Sequence, residues 1–233
     1  MEKRISAYRQ VQNVARETMR YIQQRIEPGM HLVDVREICE QKMLEWGADS
    51  FWYWGVGAFV FSGDETAVSM SGREYHTSDR IIQQDDIITI DLSPQKEKIW
   101  GDFARTIVLQ AGKPVDPEAI QNQEWRQGLE MEDFLHRELR QFATPETMFE
   151  DIYQHMNRKI EERGFVNLDF LGNLGHSIVK EKEQRIYIER GNRTRLADAG
   201  FFTFEPHISV PGSRYGYKKE NIYFFEQGYL QEL

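Results

Sequence analysis

Four carboxylates stand where a β-strand should be apolar. Asp91 lies near the end of Asp86-Ile87-Ile88-Thr89-Ile90-Asp91-Leu92, and Asp102 opens Asp102-Phe103-Ala104-Arg105-Thr106-Ile107-Val108. Glu205 sits inside Phe201-Phe202-Thr203-Phe204-Glu205-Pro206, and Glu220 opens Glu220-Asn221-Ile222-Tyr223-Phe224-Phe225. An acid embedded in aromatic or branched sequence is expected to be buried, and a buried charge is costly unless paired or metal-bound. Any one of the four is explained by a neighbouring base such as Arg105 or Lys219. Four of them, one on each strand of two hairpins, point to a shared cation site instead. His176 offers a nitrogen. It lies in Leu171-Gly172-Asn173-Leu174-Gly175-His176-Ser177-Ile178-Val179, where a lone histidine is more often a satisfied core residue than a ligand. Gly172 and Gly175 nevertheless permit close backbone approach, and imidazole is the commonest nitrogen ligand. Four carboxylates and one imidazole suit Mn, Fe, Co or Zn in pairs, and are oxygen-rich for a structural zinc site. Two such ions, about 3.5–4 Å apart, share a bridging water, lower its pKa and stabilise the tetrahedral charge that follows attack. The expected chemistry is hydrolysis.

The elements that must hold these residues are legible from periodicity. A helix is predicted from about Ser6 to about Arg25, with Tyr8, Val11, Ala15, Met19 and Ile22 on one face. Pro28-Gly29 breaks it, and a second helix starts near Asp34, read as its N-cap, and ends before Gly47. Aromatic, strand-like sequence runs from Phe51 to Val60, and turn residues fill Ser62 to Gly72. Ile87–Leu92 and Trp100–Leu109 read as an antiparallel hairpin. Helical sequence resumes from Pro117 through Phe142 and again from Glu146 to Arg163. Two last β-prone runs, Phe201–Val210 and Asn221–Phe225, are joined through Pro211-Gly212-Ser213. One plan is thus used twice. Pro28 precedes Asp34, Val35 and Gly47 by 6, 7 and 19 residues, and Pro145 precedes Asp151, Ile152 and Gly164 by the same intervals. The predicted fold class is α+β, one domain over 1–233 with halves of about 1–116 and 117–233. Its site should lie on the pseudo-twofold axis, with ligands from both halves.

Composition narrows the function classes. A formal charge of −9, with no long Lys/Arg cluster, disfavours binding to nucleic acid. The single cysteine, Cys39, forms no internal disulfide and falls in a helical pattern, which fits a buried thiol in a reducing cytoplasm. Met1-Glu2-Lys3-Arg4 leads into a polar helix, so no signal peptide is expected, and no apolar run approaches a membrane span. The expectation is a soluble cytoplasmic protein without membrane partners. Monomer and homodimer both stay open.

The same residues carry a resemblance. Asp85-Asp86-Ile87-Ile88-Thr89-Ile90-Asp91, Gly101-Asp102-Phe103-Ala104-Arg105-Thr106, Gly175-His176, Phe202-Thr203-Phe204-Glu205-Pro206 and Glu220 together resemble the pita-bread metallopeptidases. That family includes methionine aminopeptidase, Xaa-Pro aminopeptidase and prolidase, and the interval of eleven between Asp91 and Asp102 is its usual one. The likeness covers essentially the whole catalytic domain and implies a pita-bread fold holding two divalent metal ions. By it, Asp91 chelates one metal, Asp102 and Glu220 bridge both, and His176 and Glu205 complete the second. Glu205 also relays a proton from the bridging water. His76 falls where the family places a histidine that contacts substrate by hydrogen bonding or proton donation; its other reading is a surface histidine in a polar loop.

Two departures stand out. The family's Gly-His-Gly-Ile/Val-Gly text is here Gly175-His176-Ser177-Ile178-Val179, and the second histidine expected seven residues on is Glu183. His207, two residues beyond Glu205, is a candidate substitute on the same strand face, with Pro206 between them. The chain has the size of methionine aminopeptidase, whereas Arg105-Thr106 and Phe204-Glu205-Pro206-His207 look closer to the Xaa-Pro branch. Phe51-Trp52-Tyr53-Trp54 either lines an apolar substrate pocket or packs in the core. The resemblance therefore implies a dinuclear-metal aminopeptidase or Xaa-Pro peptidase acting on N-terminal residues or small peptides. A different reaction on a small molecule is the alternative, since relatives include creatinase and a metal-using lyase. A silent binding module is the third reading, against which the full ligand set and the acidic charge both argue.

Overall fold

The computed structural model describes residues 2–233. Its first half runs α1 (Glu2–Gln23), α2 (Leu32–Glu45), β1 (Ser50–Phe51), β2 (Ala58–Ser62), β3 (Asp86–Leu92), β4 (Pro94–Lys96), β5 (Ile99–Trp100), β6 (Phe103–Gln110) and β7 (Lys113–Pro114). The second half runs α3 (Gln123–Phe142), α4 (Phe149–Glu162), β8 (Val166–Asn167), β9 (Ser177–Ile178), the short α5 (Leu196–Ala199), β10 (Phe201–Phe204), β11 (His207–Ser209), β12 (Tyr217–Lys218), β13 (Asn221–Glu226) and β14 (Tyr229–Glu232). Among the described residues no helix is long and apolar enough to cross a membrane.

The repetition is visible in the strand order. One four-stranded sheet is β2-β3-β6-β7 and the other is β9-β10-β13-β14, each fully antiparallel. Two three-stranded sheets match in the same way, β1-β4-β5 and β8-β11-β12. Helices α2 and α4 are both 14 residues long and start equally far after Pro28 and Pro145. Each is entered through an isolated bridge, His31 with Ile81 and Met148 with Arg195. Asp34 is not the N-cap expected from sequence: α2 starts at Leu32, so Asp34 is the third helical residue. Its counterpart Asp151 shows the role of that position, accepting the Met148 N–H at 2.9 Å and placing negative charge at the positive end of the helix.

Each half has its own core. Ala15, Met19 and Ile22 of α1 and Val35, Cys39 and Met43 of α2 pack on Ile88, Ile90 and Ile107 of the first large sheet. Leu135 and Leu139 of α3 and Ile152 and Met156 of α4 pack with Phe202, Phe204 and Tyr223 of the second. Three strand readings need refining. The run Phe51–Val60 is broken by a turn in which Trp54 adopts φ 58°. The expected hairpin from Ile87 to Leu109 is present as β3–β6, with the smaller β4–β5 hairpin inserted between its strands. The run Phe201–Val210 splits at Glu205-Pro206 into β10 and β11, which join different sheets, because Pro206 has no N–H to continue a ladder.

One close contact seats α3 on the second half. Gly128 faces Tyr217 of β12, and a Cβ there would come within 2.2–2.4 Å of the phenol ring. Gly128→Ala improves helix propensity by about 1 kcal/mol yet is expected to destabilise the fold by about 1–3 kcal/mol through overpacking. Urea denaturation of the two proteins reads the sign directly.

Candidate metal centre

The duplicated sheets deliver their acids to one seam. Asp91 lies in β3 and Glu205 directly follows β10; Asp102 directly precedes β6 and Glu220 directly precedes β13. The two acids of each half thus come from the matching central strands. The seam is closed by backbone. The Glu220 N–H donates to the Ala104 carbonyl at 3.0 Å. Arg105 donates to the Glu220 carbonyl and to the Asn221 side-chain oxygen, both at 2.8 Å. Arg105 therefore fixes the strand that carries Glu220 rather than neutralising an acid. Lys219 turns away to pair with Asp133.

His176 is brought in by a glycine that nothing else replaces. Gly175 has φ 141°, and a Cβ on it would lie 2.3 Å from the Thr203 carbonyl oxygen. Beyond it, the His176 N–H donates to Thr203 Oγ1 at 3.0 Å, and Nδ1–H donates to the Ser177 carbonyl at 3.2 Å. That fixes Nε2 as the free lone pair. Nε2 faces Asp102 Oδ2 at 3.6 Å and Glu205 Oε1 at 3.5 Å. Burial pulls the imidazole down to about 4, outweighing the Glu205 charge, so it is neutral and able to ligate.

A base that sequence reading passed over sits among the acids. Lys218 Nζ lies 2.6 Å from Asp91 Oδ2, 3.0 Å from Glu205 Oε2 and 3.8 Å from Glu220 Oε2. Burial alone would lower its proton affinity, but Asp91, Glu205 and Glu220 hold it well above the ordinary lysine value. Burial would likewise raise Glu205, yet the Lys218 ammonium holds that carboxyl below its usual range. At Asp102 and Glu220 the relief from Lys218 is too small to win. Burial first, and then the other carboxylates of the cluster, push both well above the carboxylate range. The signal for Lys218 was period two: it precedes Glu220 by two residues, as Trp100 precedes Asp102.

Three of the predicted ligands fit a metal ion. Donor atoms of Asp102, His176 and Glu220 all lie within 4.8 Å of one another, and all three residues are buried. Both carboxylate oxygens of Glu220 are buried without a hydrogen-bond partner. A fully buried carboxylate left so is a strong demand for a cation. Asp91 and Glu205 belong to the same cluster but are engaged by Lys218.

The centre lies at the base of a cleft whose lining includes Asp91, Asp102, His176, Glu205 and Lys218. Trp52, Tyr53, Phe59 and Phe61 form an aromatic wall, with Phe170 and Leu171 also on the lining and about half or more exposed. Both readings of the aromatic run hold for Trp52: it lines the cleft, yet its indole packs 4.1 Å from Trp100 and donates to the Gly101 carbonyl at 3.0 Å. Arg185, also missed from sequence, lies over Trp52 at 4.9 Å and over Tyr187 at 5.6 Å.

The histidines outside the ligand set fare differently. His207 lines the cleft although the strand breaks between it and Glu205. Its Nε2–H donates to the Thr66 carbonyl at 2.7 Å, and burial pulls it down to about 4, so it too is neutral. The structure does not bring His76 to the cleft. It is exposed and absent from the cleft lining, because the neighbouring Tyr75 takes the inward place and packs on Phe59 at 4.5 Å. Glu183 is exposed on a short turn, and Arg185 and Tyr187 face the cleft in that stretch.

Behind the site, the Thr106 hydroxyl donates to Glu132 Oε1 at 2.7 Å and accepts the Lys218 N–H at 2.9 Å. This ties α3 to the strand bearing Lys218. Burial raises Glu132 from 4.5 to about 7. Between those values the folded chain keeps a proton that the unfolded chain has released, so stability falls as pH rises from 4.5 to about 7 and is level beyond. Glu132→Gln keeps the acceptor and removes the charge. The metal-free variant is expected to match the parent within about 1 kcal/mol at pH 5 and exceed it by about 2–3 kcal/mol at pH 8 in urea denaturation.

With this geometry in hand, comparison with known proteins is direct. Residues 6–227 match metallopeptidase family M24, and the chain belongs to that family. The methionine aminopeptidase of Helicobacter pylori is 24% identical over 216 residues, covering 88% of this chain and 79% of that protein. The X-Pro aminopeptidase of Thermotoga maritima superposes with a TM-score of 0.80 at 21% identity over 100% of this chain. The prolidase of Pyrococcus furiosus does so with a TM-score of 0.80 at 20% identity, again over 100% of the chain. This chain spans only 61% and 64% of those two proteins. A methionine aminopeptidase of Thermotoga maritima gives a TM-score of 0.76 at 15% identity, covering 96% of this chain and 93% of that one. The fold is the pita-bread fold, α+β with antiparallel sheets, as the sequence led one to expect.

Proposed function

We propose that the protein is a metal-dependent hydrolase that removes N-terminal residues from peptides, as an aminopeptidase or Xaa-Pro peptidase. The observation that carries this reading is Glu220, a fully buried carboxylate with both oxygens unpartnered, converging with Asp102 and the free Nε2 of His176. A divalent ion held by these three, Mn, Co, Fe or Zn, would supply Lewis-acid polarisation and a water of lowered pKa. The rest falls to the chain itself. Glu205, kept ionised by Lys218, takes the proton of the attacking water and hands it to the departing nitrogen. His207, neutral and anchored on Thr66, presents Nδ1 as an acceptor for a substrate N–H. The aromatic wall of Trp52, Tyr53, Phe59 and Phe61 holds an apolar side chain. The whole 1–233 region acts as one unit in this reading, since both halves supply ligands.

A second reading, a different hydrolytic or lyase reaction on a small molecule, draws on Lys218 and Arg185 in the cleft. They suit an anionic substrate better than a neutral peptide backbone. Assay of metal-loaded protein on Met-X and X-Pro peptides separates the two. Peptide cleavage that falls by about 10²–10⁴-fold in Glu205→Gln is expected. Metal uptake without cleavage of either peptide class moves the assignment to the second reading.

A further inference from the structure

Five ligands for two ions are what the family resemblance implies, but the side chains divide into two groups. Asp102, His176 and Glu220 converge on one another and leave the Glu220 oxygens without a hydrogen bond, Lys218 Nζ standing off at 3.8 Å. Asp91 and Glu205 converge on an ammonium, with Lys218 Nζ at 2.6 and 3.0 Å from their oxygens. A second ion on Asp91 and Glu205 would need the lone pairs that Lys218 now uses. It would also stand beside a fixed positive charge in a buried site, where screening is weak. Moving Lys218 aside offers no escape. Its side chain is only 18% exposed, its backbone N–H is held by Thr106 at 2.9 Å, and loss of its acids would leave a buried ammonium unpaired.

We propose that the Lys218 ammonium stands in for one of the two cations, so that the centre takes a single divalent ion on Asp102, His176 and Glu220. Asp91 and Glu205 are then partners of Lys218 rather than metal ligands. Within the duplicated scaffold, Lys218 sits where the other half has Trp100, each two residues before the acid that opens the following strand. The cation is therefore built into one half only. This inference rests on the metal-hydrolase reading but concerns stoichiometry, which is measured without any substrate.

The test is equilibrium dialysis against Mn²⁺ with elemental analysis, alongside electron paramagnetic resonance of the loaded protein. The wild type is expected to take one equivalent and give the six-line spectrum of isolated Mn²⁺. Lys218→Met is expected to take a second equivalent and show exchange coupling. Asp91→Asn should retain its one equivalent with less than about tenfold weaker binding, whereas Asp102→Asn should weaken it by 100-fold or more. Two equivalents in the wild type overturn the proposal while leaving the hydrolase reading intact. So does a folded Lys218→Met that still takes only one, or loss of the ion from Asp91→Asn. No metal in the wild type sinks the hydrolase reading and this inference with it. Should Lys218→Met not fold, the wild-type stoichiometry and the Asp91→Asn comparison still decide.

Discussion

Four carboxylates brought to one buried seam repel one another, and everything around them serves to keep positive charge within reach. Two of them, Asp91 and Glu205, are ion-paired with the ammonium of Lys218. The other two, Asp102 and Glu220, lie farther from that charge, and burial with the neighbouring carboxylates raises their hold on protons well above the carboxylate range. An apolar core of similar volume would be easier to assemble. The arrangement is costly for the fold, and a cation bound among Asp102, His176 and Glu220 would offset that cost.

The scaffold that tolerates this cost is a repeated one. Each half builds its own core from two helices on a four-stranded antiparallel sheet, so neither core depends on the charged seam for its apolar contacts. The halves are then joined by a shared apolar cluster, in which Tyr8, Trp52 and Trp100 meet Ile178, Phe201 and Phe224, and by specific bonds, among them Glu220 N–H to Ala104 and Arg105 to the Glu220–Asn221 backbone and side chain. Rigid elements thus carry acids to within a few ångströms of one another, a precision that loops seldom give.

Much of this was legible in the chain. The four acids announced themselves by standing in apolar strand sequence, and the Pro-to-Gly intervals of the two short helices disclosed the repeat. His176 was marked by Gly175, whose need for open space is now explained by the Thr203 carbonyl. What could not be read was decided by three-dimensional proximity. The bland explanation of the acids, pairing with a nearby base, was half right: the base exists, but it is Lys218 and not Arg105 or Lys219. Adjacent lysines at 218 and 219 look alike in sequence, and only strand alternation sends one inward and the other to Asp133. His76 lies outside for the same reason in reverse, since Tyr75 beside it holds the inward place. Arg185 lay in a polar stretch with no period to mark it, and tertiary packing alone set it on the aromatic wall.

A strictly twofold frame would offer the same chemistry from both of its halves. Here the backbone is nearly twofold but its furnishings are not. At equivalent strand positions one half presents the indole of Trp100, stacked into the aromatic cluster, and the other presents a charged amine. The inequality of Trp100 and Lys218 breaks the symmetry of the frame: one equivalent position is an apolar ring sealed in the interior, the other an ammonium on the wall of the cleft.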